Sequence, residues 1–266
     1  MMNILFWNVG KLEIDNSSII EDLLISSNCD IASFAEYRGD YKTLLRNLSE
    51  KGQNYYHVPI IGCERINIFT KILPEKVKPL SETNYFTLKQ FPHPKLVNLT
   101  IAFVHFPSKL YSDDFDYLEE SRLFRLQIEQ DEEHLNNENT IVIGDFNMNP
   151  FEKGMLAASA FHAVPTIFEA KKGKRLIKGR EYKMFYNPMW NFFGDLYGHQ
   201  GTYYYSQAKH FNVNWNILDQ VIIRPVLLEY LDLSKIQIIT EVNGETLIKQ
   251  NGTPLTSDHL PIYFEI

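Results

Sequence analysis

The chain is poor in several things, and each shortage excludes something. Only two cysteines, Cys29 and Cys63, occur in 266 residues. Two cannot make a disulfide framework. No apolar run approaches the roughly 20 residues of a membrane span. The N-terminus, MMNILFWNVG, has no basic segment and no cleavage-site pattern, so it does not read as a secretory signal. No repeat and no linker interrupt the chain. Positive charge is also scarce: 26 Lys and Arg stand against 33 Asp and Glu, a net charge of -7. That argues against tight non-specific binding to duplex DNA, which needs many phosphate contacts. It leaves room for a metal-dependent enzyme acting on phosphates, because a bound cation supplies positive charge locally. These absences predict a soluble, reduced, cytoplasmic protein and leave its oligomeric state open.

What is present is an ordinary globular composition, 44% hydrophobic and 22% charged, with aromatics at 14%. Strands are predicted at 3–9, 30–37, 54–61 and 65–72, and again at 84–91 and 95–106. Helices are predicted at 18–28, where Ser18 and Glu21 are spaced as a capping box, and at 40–52, ending at a glycine. The longest helix runs from Asp114 to Leu135, with Tyr117, Phe124, Ile128 and Leu135 on one stripe. Further strands are expected at 140–146, 201–207, 214–225, 236–242 and 260–266, with a short helix after Pro150 and a basic loop at 170–183. Mixed helices and strands, several of the strands paired, give an α/β or α+β class with a largely antiparallel or mixed sheet arrangement. One domain over 1–266 is expected.

Polar residues recur where strands end. Asn8 closes the first strand, Glu36 the second and His105 the run IAFVH. IVIGDFNMNP (141–150) delivers Asp145, Asn147 and Asn149 to a strand tip. Asp219 lies in WNILDQVII, and Asp258 and His259 precede the last strand. Any one of these is an ordinary turn or surface residue. As a set they are the parts of a metal-assisted phosphoester hydrolase. Glu36 and Asp258 offer oxygen ligands to a hard cation. Asp145 is a candidate to orient or deprotonate water. Asp219 can hold His259 in one tautomer, and the amides of Asn8 and Asn147 can donate to phosphoryl oxygens.

FWNV (6–9), FAEY (34–37), VHFPS (104–108), GDFNMNP (144–150), LDQVII (218–223) and SDHLPI (257–262) resemble, in order and spacing, the motifs of the endonuclease/exonuclease/phosphatase superfamily, the DNase I-like proteins. The resemblance spans the chain end to end. It implies a four-layer α/β sandwich, two mixed and mainly antiparallel sheets face to face with helices outside. It implies Glu36 as main metal ligand, aided by Asn8 and Asp258, and Mg²⁺ or Mn²⁺ as the metal. It also implies that Asp145 orients water or holds a second metal, that Asn147 orients phosphate, and that His259, paired with Asp219, and His105 contact it. Asn149 and Pro150 read only as turn. Gln220 departs from the family's usual His or Tyr, and Ala35 from its usual Gln; neither removes a metal ligand.

The superfamily's shared site does not choose a substrate. KKGKRLIKGREYK (171–183), with Lys174, Arg175 and Arg180, is a candidate phosphate-backbone contact surface, or a solvated loop. Trp190 and Trp215 are candidates for stacking on bases, or for packing; Trp215 only weakly matches the Trp of abasic-site enzymes. The first expectation is a nuclease on DNA or RNA. The alternative is a phosphatase or phosphodiesterase on a small or lipid-linked phosphoester. A third is a non-enzymatic interaction module that kept the fold.

Overall fold

Two runs, Asn3–Asn8 and Thr140–Asp145, are buried along almost their whole length, and each lies in the middle of a large sheet. The computed structural model describes residues 1–10, 12, 18–110, 112–195, 198–207 and 213–266. In chain order the elements are β1 (Asn3–Asn8), α1 (Ser18–Ser27), β2 (Ile31–Ala35), α2 (Tyr41–Glu50), β3 (Tyr56–Val58), β4 (Ile66–Thr70), β5 (Lys78–Glu82), β6 (Phe86–Phe91), β7 (Leu99–His105), α3 (Asp114–Leu135) and β8 (Thr140–Asp145). Then come α4 (Lys153–Leu156), β9 (Ala163–Val164), α5 (Ile167–Ala170), β10 (Lys174–Ile177), β11 (Arg180–Lys183), β12 (Phe185–Tyr186), β13 (Tyr203–Tyr204), β14 (Trp215–Asn216) and β15 (Asp219–Ile223). The chain closes with β16 (Gln237–Ile238), β17 (Glu241–Val242), β18 (Glu245–Thr246) and β19 (Ile262–Glu265).

A six-stranded sheet has the order β16-β19-β1-β2-β4-β3, and a seven-stranded sheet has the order β5-β6-β7-β8-β15-β12-β9. Most pairs are antiparallel; β1 with β2, β7 with β8, and β9 with β12 are parallel. Alternation along the strands divides the core. Ile101, Phe103, Ile141, Ile143, Val221 and Ile223 join the residues of the six-stranded sheet. Ala102, Val104, Val142 and Ile222 turn the other way, onto α3. Sheet, sheet and outer helix thus stack as the resemblance implied. The α3 stripe buries Tyr117, Phe124 and Ile128, and Phe124 stacks on Phe86 at 3.9 Å between ring centroids. Burying one such aromatic side chain contributes about 1.5–3 kcal/mol.

Four local readings change. Glu21 does not serve as the fourth member of a capping box: its carboxylate accepts from Asn47 Nδ2 and Lys51 Nζ, both at 2.7 Å, and so fastens α1 to α2. The basic segment 170–183 is a hairpin, β10 paired with β11, rather than a loop. Its strands are solvent-exposed, so they carry no alternating apolar signal. β5 was not foreseen, because Pro79 lies within it; it survives as the edge of its sheet, where a missing N–H is tolerated. Leu135 ends the α3 stripe only half-buried, while Arg125 and Glu132 lie buried on the same face.

Candidate active site

Strand register gathers the polar strand ends. In the six-stranded sheet Asn8 lies opposite Ala35, which puts Glu36 one residue beyond it. In the seven-stranded sheet Asp145 lies opposite His105 on one side and Asp219 on the other. The sheets meet at this end: Asn8 Nδ2 donates to Asp145 Oδ2 at 3.0 Å across the interface. The last loop completes the group. Ser257 Oγ donates to the carbonyl of Asn8 at 2.9 Å, and Trp7 Nε1 donates to the carbonyl of His259 at 2.9 Å.

Glycine makes the close approaches possible at two points. A Cβ on Gly144 would stand 1.9 Å from the Val104 carbonyl oxygen, so any side chain would pry β8 off β7 just before Asp145. A Cβ on Gly10 would lie 2.4 Å from Glu36 Oε2 and 3.2 Å from Asn8 Oδ1, the space these two oxygens share. Glu36 itself has φ +56° and Asn147 φ +50°, the left-handed region that side chains seldom occupy. Such conformations cost on the order of 1–3 kcal/mol and cluster at functional sites.

Asp145 is buried and accepts three hydrogen bonds, one at Oδ1 and two at Oδ2. It accepts from Asn8 Nδ2, from Asn147 N at 2.8 Å and from Asn147 Nδ2 at 3.2 Å. Asn147 Nδ2 also donates to the Phe106 carbonyl at 3.0 Å. Its amide donors therefore hold Asp145 in place instead of facing outward. His105 Nε2 stands 3.5 Å from Glu36 Oε1 and 3.8 Å from Asp145 Oδ2. His259 Nδ1 meets Asp219 Oδ2 at 2.8 Å. Thr202 Oγ1 accepts from the backbone of both Leu218 and Asp219 and fixes the start of β15.

Burial pushes the His105 imidazole below its usual range, against the pull of Asp145 and Glu36. His259 goes the other way. Burial opposes its charge, but Asp219, then Asp145 and Asp258, outweigh it and lift its pKa to about 10. Burial pushes the Asp219 carboxyl up while His259 pulls it down. Three carboxylates act on the imidazole and favour its protonated form, with Nδ1 bound to Asp219.

Ligand atoms of Asp145, Asp219 and His259 all come within 4.8 Å of one another. With His259 Nδ1 bound to Asp219, this cluster suits orientation of the histidine better than a cage for a hard cation, which prefers oxygen ligands. Glu36 is different. Its side chain is 39% exposed, so its carboxylate is open, and the Asn8 amide oxygen flanks the same glycine. Asp258, half-buried, adds its charge at His259. Carboxylate and amide oxygens fit Mg²⁺ or Mn²⁺, and the thiols of Cys29 and Cys63 are buried free cysteines.

Of the other candidates, the tryptophans lie on segments that border the site, since β14 pairs with β13 and Tyr203 of β13 bridges His259 with the rings 4.8 Å apart, while the basic residues lie elsewhere. Trp190, in a short 3₁₀ turn at Pro188–Phe192, packs with Phe151 and Phe193 at 6.5 and 6.1 Å. Trp215 packs edge-on against His199 at 4.4 Å and against Tyr204. Leu196 and Tyr197, in the same aromatic stretch, lie outside the described residues. Lys174, Arg175 and Arg180 are on a hairpin rooted at the opposite end of the sheet: Lys183 pairs with Glu138 at 2.7 Å, just before β8 begins. Lys174 pairs with Glu181, and Arg175 with Glu169. These three residues do not join the site.

Asn149 was undervalued. It is buried, donates to Asn216 Oδ1 at 2.8 Å and accepts from Ile217 N at 2.9 Å, tying the Asp145 loop to the approach of β15. Gln220 is likewise structural: it donates to the Met148 carbonyl at 2.6 Å and accepts from Asn187. Thr202 and Ser257 were also missed. Their partners lie far away in the sequence, and no local pattern announces them.

No family model matches the chain, and no curated protein matches it. Solved structures do. A 3′ phosphatase, NExo from Neisseria, bound to a product DNA hairpin, superposes with TM-score 0.60 at 14% identity, covering 100% of this chain and 99% of that one. An endonuclease/exonuclease/phosphatase family protein from Bacteroides thetaiotaomicron gives 0.58 at 13%, covering 99% and 96%. An AP endonuclease from Archaeoglobus fulgidus gives 0.57 at 13%, covering 99% and 98%. The chain has the DNase I-like α/β sandwich fold over its whole length.

Proposed function

We propose that this protein is a divalent-metal-dependent phosphodiester hydrolase that cuts nucleic acid. The observation that carries this reading is convergence. Asn8, Glu36, His105, Asp145, Asn147, Asp219 and His259 come from six separate stretches and meet at one end of the two sheets. Solved proteins of the same fold include one bound to product DNA and an AP endonuclease.

Glu36, with the Asn8 amide oxygen and Asp258, would hold Mg²⁺ or Mn²⁺. Such an ion neutralises charge on a phosphate. The chain's own residues do the rest. Asp145, clamped by Asn8 and Asn147, accepts a hydrogen bond from the attacking water and aims it. His259, kept protonated by Asp219, presents Nε2–H to a non-bridging oxygen, where negative charge grows as the bond breaks. His105, whose charged form burial disfavours, stands with Nε2 facing Glu36 and Asp145 and separates those carboxylates.

One observation favours a second reading, hydrolysis of a small or lipid-linked phosphoester: the basic hairpin is rooted away from the site, which removes an extended cationic track for a polymer. Among the described residues no helix is long and apolar enough to cross a membrane. The two buried free cysteines fit a reducing compartment, and we place the protein in the cytoplasm.

The test is turnover of single- and double-stranded DNA, RNA and small phosphoesters with Mg²⁺, Mn²⁺ or EDTA, with Glu36→Ala and His259→Ala beside wild type. Nucleic-acid cleavage that EDTA stops, and that both variants lower more than roughly a hundredfold, supports the nuclease. Turnover of small esters alone supports the second reading. No turnover of any substrate leaves only an interaction module on this fold.

A further inference from the structure

The site as described is rich in carboxylates, and the whole chain carries a net charge of -7. A nucleic-acid strand approaching it meets repulsion unless a cation stands at the entrance. The hairpin does not provide one. Arg65 does, by its position between the two sheets.

Arg65 lies just before β4, and its carbonyl accepts the backbone N–H of Glu36 at 3.0 Å. Across the rim, Tyr85 lies just before β6, and its carbonyl accepts the backbone N–H of His105 at 2.8 Å. The Arg65 guanidinium rests over the Tyr85 ring, 5.4 Å from its centroid. That ring is in turn buttressed edge-on by Phe106, at 6.5 Å. One cation–π contact thus joins the neighbours of two site residues, one from each sheet. Arg65 is solvent-exposed, and among the described residues its guanidinium makes no salt bridge. Its charge is felt at His105, where it adds to the effect of burial.

An arginine held beside an aromatic ring by cation–π attraction still has N–H donors to offer. Those donors match two oxygens of a phosphate. The scissile phosphate is already served by His259 and by the Glu36 ligand set. We propose that Arg65, held by Tyr85, binds a phosphate flanking the scissile one on a single nucleic-acid strand. The inference takes its substrate class from the nuclease reading. It makes Arg65 a binding residue and Tyr85 its support.

The test reads binding, apart from cleavage. A fluorescein-labelled 12-nucleotide DNA single strand is titrated with protein in EDTA, by anisotropy, over a KCl series. Wild type is compared with Arg65→Gln, Arg65→Lys and Tyr85→Leu. Loss of one charge-assisted contact weakens binding roughly tenfold at low salt. The slope of log affinity against log salt shrinks by about 0.7, one phosphate contact on a single strand. Arg65→Lys keeps the slope and recovers part of the affinity. Tyr85→Leu weakens binding less and leaves the slope alone. A merely structural role for Arg65 would not move the salt slope, so an Arg65→Gln protein with wild-type affinity and slope overturns the inference. So does a wild type that does not bind the strand at all. A wild type that binds but cuts nothing with Mg²⁺ or Mn²⁺ sinks the nuclease reading and leaves the Arg65 contact standing.

Discussion

Where β8 begins, at Thr140, Arg224 lays Nε and Nη2 on the two oxygens of Glu132 at 2.8 and 3.0 Å, donates Nη1 to the Met184 carbonyl and stacks 3.9 Å over Phe185. Lys183 closes the group against Glu138 and Glu132. Where β8 ends, at Asp145, four carboxylates (Glu36, Asp145, Asp219 and Asp258) surround two histidines, one of them held uncharged by burial. Both poles bury charge, at the two ends of the same six-residue strand. The first pole balances its charges internally. The second keeps an excess of negative charge and an open carboxylate, and that imbalance is what a cation would relieve. A closed ion pair is architecture; an unbalanced cluster is an offer to a ligand.

The largest effect should come from breaking the balanced pole. Glu132→Ala strands Arg224 in the interior, and removing one partner of a buried pair costs about 3–5 kcal/mol. Urea unfolding should show that loss, while turnover per folded molecule stays near wild type. Replacing both partners, Arg224→Met with Glu132→Leu, should recover most of the stability, because the uncompensated charge is gone.

Next in size is the reverse experiment. Glu36→Gln should lower metal-dependent turnover more than roughly a hundredfold while shifting unfolding free energy by no more than about 0.5 kcal/mol, as an open surface position should. A variant that unfolds like wild type and still turns over normally would remove Glu36 from the site.

Adding the ion sharpens the contrast. Mg²⁺ at about 100 times its dissociation constant stabilises the fold by about 2.7 kcal/mol. Wild-type Tm should rise with Mg²⁺ and fall back with EDTA. Glu36→Gln should lose the response, and Glu132→Ala should keep it. Equal responses in both variants would place the ion elsewhere.

The smallest effect is a pH dependence at a half-buried charge, Glu82. Burial pushes the Glu82 carboxyl up, but Lys89, the N–H groups of Gly62 and Ile61, and Thr87 outweigh it and bring its pKa to about 2. A carboxyl with a depressed folded pKa stabilises the native state fully above about 4.5, its ordinary value, and that contribution fades as pH falls toward 2. Allowing for solvent screening, the contribution is about 1 kcal/mol. Urea unfolding of wild type should weaken between pH 4.5 and 2 by that much more than unfolding of Glu82→Gln. Parallel curves would remove the effect.

The balanced pole could not be read from the sequence, and the unbalanced one largely could. Asn8, Glu36, His105, Asp145 and His259 announce themselves because each stands where an apolar run stops, and strand ends present side chains together. Arg224 also follows an apolar strand, yet its partner Glu132 is 92 residues away on the buried side of α3. Nothing local tells a buried arginine from a surface one. Asn149 looked like turn chemistry because its neighbours are turn residues; its importance lies in Asn216, 67 residues on. The β10–β11 hairpin escaped because both its faces meet water, so its pattern matched a loop. Arg65 has no signature either, since its place depends on how one sheet meets the other.

That meeting is made in part by a single hydrogen bond, from Asn8 on one sheet to Asp145 on the other. The geometry of the candidate site is therefore a gauge of how the two halves of the sandwich slide. Misplacement by about 1 Å can cost a hundredfold in rate, while secondary structure and overall compactness would scarcely register it. If the proposed hydrolase reading holds, warming or mild denaturant should silence turnover before the spectrum changes, and turnover becomes the finest available ruler for the alignment of the sheets.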